Sequence, residues 1–204
     1  IISCSNDNRN IEKLNDPELF HKAMQNLTDV IVYDIFSPPV ASRIYVYPSV
    51  AAYEVLINDY PNYESLSGKI NGLNSIPKPD FNKEYSFPIA SIYAFISVGK
   101  DLIFSENKIN SFQEELLNEF QEKGVPKDIL NRSKEYGLEV ANHIKKWYDE
   151  DNYKQTRSFP KYTIQRDIKE SWKPTPPDYM EGIEPHWNKI RTLVVDSSNQ
   201  FMIE

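Results

Sequence analysis

Three histidines are the first residues to consider for acid–base or metal chemistry, because imidazole titrates near neutral pH and binds transition metals. They are His21, His143 and His186. None has the His-Glu-x-x-His spacing that places two imidazoles on one helix face around zinc. His21 and His143 fall on the polar faces of predicted helices, which favours solvent-exposed side chains. His186 stands between Pro185 and Trp187 in an irregular segment, where a packed structural histidine is favoured over a functional one.

Adjacent acidic residues are a second source of acid–base chemistry. Glu114-Glu115 and the run 149–151 (Asp-Glu-Asp) are of this kind. Neighbouring residues on a helix point in different directions, so these carboxylates do not converge on one substrate. Solvated helix surface is the interpretation that the pattern favours. The chain also has no Gly-rich phosphate loop, Gly-x-Ser-x-Gly turn or Cys/His arrangement. The sequence therefore predicts no catalytic, cofactor-binding or metal-ligating residue.

Two isolated acids stand in largely apolar helical sequence. Asp34 and Glu54 flank Arg43. If the first two helices form a hairpin, Arg43 is placed to pair with one of them. A buried pair of this type more often fixes geometry than performs catalysis.

The single cysteine, Cys4, follows Ile1, Ile2 and Ser3. This order resembles a bacterial lipobox, in which signal-peptide cleavage leaves a lipidated cysteine at the N-terminus. Residues 5–15 then form a polar tether. The alternative is a free thiol in a tail, and no second cysteine is present to form a disulfide within the chain. The pattern predicts Cys4 as a lipidation site. It also predicts an extracytoplasmic protein, periplasmic or on the cell surface, that is anchored to a bacterial membrane by lipid.

Composition narrows the classes of protein further. The chain has 204 residues, of which 40% are apolar, with 13 Tyr, 10 Phe and only 6 Gly. Scarce glycine favours helices over a turn-rich β protein. The net charge of −7 argues against a nucleic-acid partner, because phosphates would be repelled. No apolar run reaches the roughly 18 residues that a transmembrane helix requires.

Five helices are predicted from apolar spacing and capping residues. The third is apolar on all sides and should be the most buried, while Pro48 either kinks the second helix or divides it. Mostly short connections favour an antiparallel bundle, and hence an all-α fold. The first predicted helix begins at Asp16 and ends at Ser37. In chain order, the other four run from Pro39 to Asn58, Ser86 to Phe104, Ser105 to Gly124 and Lys127 to Glu150.

Two stretches have no periodic pattern. Residues 60–85 form a long loop of the type that is functional or wraps a surface. Residues 152–188 are rich in proline and aromatic residues, and we expect them to be ordered by lying on other protein, with Trp172 and Trp187 as anchors. The predicted organisation is a lipobox remnant and tether at 1–15, a helical bundle at 16–150, and an extended segment at 151–204 that leads to a missing C-terminal catalytic core.

Several segments together resemble the N-terminal part of bacterial vanadium-dependent haloperoxidase-like proteins of the type 2 phosphatidic acid phosphatase superfamily. They are Val30–Tyr45, Ala51–Glu54, Trp172–Pro177, Glu184–Asn188 and Ser197–Phe201. The resemblance covers roughly residues 16 to 201. It implies an oxyanion site built from Lys and Arg, a Ser-Gly-His element, a further Arg and a His. This chain has no Ser-Gly-His, so no catalytic residue is carried over to it.

The resemblance implies a scaffold for an exported enzyme that acts on an oxyanion centre, by phosphoester hydrolysis or by peroxide-dependent halide oxidation. The partner would be the protein's own catalytic bundle outside this chain. The cofactor is unknown, with vanadate the candidate in the full-length protein, and the chain by itself is expected to be inactive. The alternative is a helical extracytoplasmic lipoprotein that binds glycans or other nutrients, because Tyr- and Trp-rich loops suit stacking on sugars.

Overall fold

A computed structural model describes residues 15–197 and 199–202 of the chain. Cys4 and nearly all of the predicted tether lie outside these residues. The described part contains α-helices and two short 3-10 helices but no β-strand, which confirms the all-α prediction. None of its helices is long and apolar enough to cross a membrane. The helices are α1 (Pro17–Tyr33), α2 (Pro38–Leu56), α3 (Phe87–Asp101), α4 (Glu106–Glu122), α5 (Lys127–Asp149) and α6 (Tyr153–Thr156), with 3-10 helices at Ile57–Asp59 and Trp187–Lys189.

Helix starts follow the capping residues that the sequence indicated. Asp16 Oδ1 accepts a hydrogen bond from Glu18 N at 3.0 Å, and Ser86 is the N-cap of α3. Helix ends are less well predicted: α1 stops at Tyr33, before the Ser37-Pro-Pro signal, and α3 stops at Asp101 rather than Phe104. The second helix is continuous through Pro48, so the alternative of two shorter pieces is wrong.

α3 is the most buried helix, as its apolar sequence predicted. Eleven of its fifteen residues are buried, so neighbours must cover it on all sides. On the α1 side, the Phe20 and Phe95 rings meet edge to face with centroids 5.0 Å apart. On the α5 side, Gly137 lies so close to Ala90 that a Cβ at 137 would be 3.1 Å from the Ala90 carbonyl carbon. The glycine therefore permits a helix crossing that no other residue would allow.

The 60–85 segment wraps the helices instead of projecting from them. It buries Leu73 and Ile76 among the core residues. The Tyr136 hydroxyl donates to the carbonyl oxygen of Pro77 at 3.2 Å. Burial raises the pKa of Tyr136 to about 12, so this hydroxyl keeps its proton as a donor at neutral pH. The segment is a structural strap, and we use that name for residues 60–85 below.

The chain divides into two compact units between Tyr148 and Asp149. The second unit comprises residues 149–204, and its described residues have little regular structure beyond α6 and the 3-10 turn at 187–189. Polar and aromatic contacts give it shape. Arg157 forms an ion pair with Glu184, and its guanidinium lies 4.6 Å from the centroid of the Tyr153 ring. The same ring meets Trp187 edge to face at 6.4 Å.

Candidate functional site

The three histidines have separate, mainly structural surroundings. His21 is exposed, with Nδ1 3.4 Å from Glu18 Oε1, whereas His143 on α5 is half-buried, so only His21 faces solvent as expected. His186 Nε2 lies 2.6 Å from the Pro160 carbonyl oxygen, and its ring meets Phe159 edge to face. No group of three His, Cys, Asp or Glu within the described ranges could hold a metal ion.

The acidic runs differ from each other in the structure. Glu114 and Glu115 are exposed on α4, as predicted. Asp151 is buried, and its Oδ1 accepts a hydrogen bond from Tyr153 N at 2.8 Å. The expectation of a solvated surface is therefore wrong for Asp151. The bond to the amide two residues further on is an Asx-turn, which aspartate commonly forms.

Asp34 joins two turns that are distant in sequence. Its carboxylate accepts hydrogen bonds from the amides of Phe104 and Ser105, at 2.9 and 3.0 Å, and from the Ser105 hydroxyl. Burial alone would raise the pKa of Asp34, but these hydrogen bonds outweigh it and hold the pKa below its ordinary value. Next to it, Ile35 has φ of 57° and is 89% exposed. A β-branched residue is strained in this conformation, and the Asp34 bonds fix the turn that imposes it.

Glu54 is completely buried in α2 and holds the beginning of the strap. Its Oε1 accepts a hydrogen bond from Leu66 N at 2.6 Å, and its Oε2 accepts one from the Ser65 hydroxyl at 2.8 Å. Each carboxylate oxygen thus has a donor, which is the condition for a buried acid to be tolerated. The role of Glu54 is therefore structural.

Arg43 is the third member of the isolated charged set, and its surroundings are aromatic. The guanidinium carbon lies 5.1 Å from the Tyr47 ring centroid and 5.3 Å from that of Tyr148. Arg43 Nη2 also donates to the Tyr148 carbonyl oxygen at 3.4 Å. The pairing with Asp34 or Glu54 that the sequence left open is not formed, because those acids have the donors described above. Arg43 instead joins α2 to the end of α5 through cation–π contacts.

A vanadate or phosphate site needs several cationic donors that converge on one oxyanion. Arg43 is the only basic side chain among the described residues that is buried, and two aromatic rings flank it. The described residues therefore do not form such a cradle.

The second unit has a concave surface. It is a groove of about 580 Å³ lined by Tyr162, Trp172, Pro176, Met180 and Ile183 among others. The side chains of Met180 and Ile183 are exposed, and Trp172 is 48% exposed. Trp172 therefore lines an open groove, and its expected role as an anchor on other protein stays a prediction. We call this surface the Trp172 groove.

The helical fold and much of the sequence have a counterpart among solved structures. The crystal structure of the first bacterial vanadium-dependent iodoperoxidase matches 91% of this chain at 47% sequence identity, with a TM-score of 0.84. The chain is a relative of the vanadium-dependent haloperoxidases. No protein-family model and no curated protein sequence matches it.

This haloperoxidase-like chain spans 44% of the length of the solved iodoperoxidase chain. The resemblance drawn from Val30–Tyr45 and the later segments is thereby confirmed, together with the expectation that the chain corresponds to part of a longer relative. Residues singled out within those segments, such as Asp34, Arg43 and Glu54, have structural partners in this chain. These residues therefore belong to the helical fold that the chain shares with the iodoperoxidase.

Proposed function

We propose that this chain is the N-terminal scaffold part of an exported enzyme of the vanadium haloperoxidase and type 2 phosphatidic acid phosphatase type. The enzyme acts on an oxyanion centre, by peroxide-dependent halide oxidation or phosphoester hydrolysis, with its catalytic residues outside these 204 residues. The observation that carries the proposal is the 47% identity to a vanadium-dependent iodoperoxidase over 91% of the chain. The structural use of Asp34, Glu54 and Arg43 is consistent with a scaffold role.

An activity comparison tests this proposal. The purified 204-residue chain is assayed with and without vanadate for iodide oxidation by hydrogen peroxide and for hydrolysis of p-nitrophenyl phosphate. We expect no turnover, because the chain lacks the cationic cradle that both reactions need. The full-length product of the same gene should catalyse one of the two reactions. Turnover by the repurified short chain, or complete inactivity of the full-length protein in both assays, would contradict the proposal.

Export and anchoring form a separate part of the proposal and depend on Cys4, which lies outside the described residues. The lipobox-like order Ile1-Ile2-Ser3-Cys4 supports lipidation at this cysteine. Cells that express the precursor are labelled with an alkyne fatty acid, and Cys4→Ser is the matched control. Label should appear on the wild type and in the membrane fraction, and be absent from Cys4→Ser. Equal labelling of the two proteins would rule out Cys4 as the acceptor.

A second candidate function is binding of glycans or other nutrients, and the Trp172 groove is the observation that favours it. Tyr162 and Trp172 meet edge to face with centroids 5.7 Å apart, and exposed aromatic rings of this kind can stack on sugars. Calorimetric titration of the full-length protein with oligosaccharides distinguishes the candidates. Saturable binding that Trp172→Ala abolishes, in a protein without oxyanion chemistry, would favour the binding lipoprotein.

A further inference from the structure

The second unit has no hydrophobic core of its own among its described residues. Only Asp151 and Thr156 are buried there, and both are polar. Several of its large apolar side chains are exposed instead, for example Ile168 at 48%, Met180 at 65% and Ile183 at 55%. An irregular segment with this composition differs from a solvated linker, in which such side chains would be rare.

Polar contacts alone do not explain an ordered chain of this length. The hydrogen bond from Asn152 Nδ2 to the Lys189 carbonyl oxygen is exposed, and the Arg157 side chain of the Arg157–Glu184 ion pair is 47% exposed. Contacts of this type contribute little net stability compared with the conformational entropy that ordering removes. Burial of apolar surface normally supplies the difference. The exposed apolar side chains of the unit are therefore in position to be covered by additional protein.

The Trp172 groove is the part of this surface that is best prepared for contact. The Tyr162 hydroxyl donates to the Trp172 carbonyl oxygen at 2.9 Å. Gly182 lies against the indole, since a Cβ at 182 would be 3.5 Å from Trp172 Cζ3. The Tyr162 ring also meets the indole edge to face at 5.7 Å, so the indole has neighbours on two sides while Trp172 stays 48% exposed. A restrained aromatic residue in an apolar concavity is typical of the centre of a protein–protein contact.

We propose that the Trp172 groove is the docking site for an apolar segment of the catalytic part of the same polypeptide. This inference rests on the proposed function. The argument for this occupant is length: the chain spans 44% of the solved iodoperoxidase, so more than half of that relative is additional polypeptide. A segment of the same polypeptide also has a high effective concentration at the groove, which a separate partner lacks. The occupant presents apolar side chains to Trp172, Met180 and Ile183.

Site-directed labelling of the full-length protein tests whether the groove is covered. Cys4 is replaced by serine, and a single cysteine is introduced as Met180→Cys or, as the matched control, Glu114→Cys on exposed α4. We expect maleimide to label Met180→Cys about tenfold or more slowly than Glu114→Cys in the folded protein. In denaturant the two rates should be equal. If both cysteines are labelled at the same rate in the folded protein, the docking site is overturned.

A photo-crosslinking amino acid at position 180 of the full-length protein identifies the occupant. Cross-links to residues beyond 204 of the same molecule support the proposal. Cross-links to a second copy, recognised by mixing isotope-labelled protein, or to another protein overturn the commitment to this occupant. The activity assays above separate the two proposals. Cross-links beyond residue 204 in an inactive protein overturn the proposed reaction and leave the docking site. An active protein with freely labelled Met180→Cys overturns the docking site alone.

Discussion

Glu54 shows how one buried carboxylate can fix a long irregular segment. It is fully enclosed, and its two oxygens hold the Ser65 hydroxyl and the Leu66 amide at the beginning of the strap. Glu54→Ala would leave these two partly buried donors without their acceptor. We expect the free energy of unfolding to fall by about 2–4 kcal/mol, as measured by urea denaturation of the chain.

The matched control for Glu54 is Glu64→Ala in the same strap. Glu64 is exposed and pairs with Lys69, so its removal should leave the urea midpoint close to that of the wild type. Similar losses for Glu54→Ala and Glu64→Ala would show that the strap does not depend on the buried acid.

Asp34 should make part of the stability depend on pH. Its folded pKa is held below the ordinary value of 3.8 by the hydrogen bonds from Ser105 and Phe104, which act against the effect of burial. The ionised form is thus favoured in the folded protein. The contribution of ionised Asp34 to the free energy of unfolding is fully present above the unfolded pKa. It is lost as the pH falls through the lower, folded pKa. We expect Asp34→Asn to be less stable than the wild type at pH 7, with the difference narrowing below pH of about 4.

Ser105→Ala provides the control for this titration. Without the serine hydroxyl, the wild-type preference for the ionised acid should weaken, and Asp34→Asn should then change the stability profile less. Thermal unfolding from pH 2 to pH 7 measures all four proteins of the double-mutant cycle. A constant difference between wild type and Asp34→Asn over that range would contradict the assigned role.

For the isolated charged residues, the sequence predicted that partners exist but not which residues they are. Asp34, Arg43 and Glu54 could be singled out as charges in apolar helical sequence, and all three do have specific partners. The partners themselves could not be predicted. Ser105 lies 71 residues from Asp34 and Ser65 lies 11 residues from Glu54, both outside periodic sequence. Partner choice there follows from how turns meet in the fold, which residue spacing does not encode.

The crossing of α3 and α5 depends on Gly137. A Cβ at this position would overlap the carbonyl group of Ala90, and the backbone of a buried helix cannot move away locally. We expect Gly137→Ala to lower the free energy of unfolding by about 1–3 kcal/mol, although alanine is the better helix former. Urea denaturation followed by circular dichroism measures this change.

Gly99→Ala on α3 is the matched control, because it adds the same methyl group to another helix contact. There the new Cβ would meet the end of the Leu27 side chain at 3.2 Å. A flexible side chain can shift, and alanine favours the helix by about 1 kcal/mol, so the two effects should nearly cancel. Equal destabilisation by the two substitutions would show that space at Gly137 is not the limiting factor.

The sequence predicted where helices occur, but it did not predict which helices pack against each other. The all-apolar stretch from Ile89 to Ile96 indicated the central helix, and the structure confirms this. The same sequence gave no sign that α5 crosses it at Gly137, because one glycine in a polar helix is compatible with several roles. The strap is similar: its prolines predicted irregular backbone, whereas its packing over the helices depends on Glu54 and Tyr136.

At the scale of the whole molecule, the two units are stabilised differently. Residues up to Tyr148 contain all of the buried apolar side chains that the described chain provides. Residues from Asp149 onward are ordered by capping, ion-pair and aromatic contacts. The composition after the helices predicted an aperiodic aromatic segment. Residue spacing could not place a catalytic site, because the described residues do not bring together a set of cationic donors.

Local stability should therefore differ strongly along the isolated chain. Opening of α3 requires loss of the packing of its eleven buried residues, so its amides should exchange only through near-global unfolding. Amides in residues 160–183 can open without exposing any buried apolar side chain of the described unit, so they should exchange first. Hydrogen–deuterium exchange with mass spectrometry measures both regions in one experiment. Limited proteolysis should likewise cut within 160–183 before any helix from α1 to α5.

In the full-length protein, amide exchange in residues 160–183 should slow while exchange in α3 changes little, because only residues 160–183 become covered by additional protein. Equal protection of both regions in the isolated chain would mean that the second unit has a stabilising core of its own, contrary to this account.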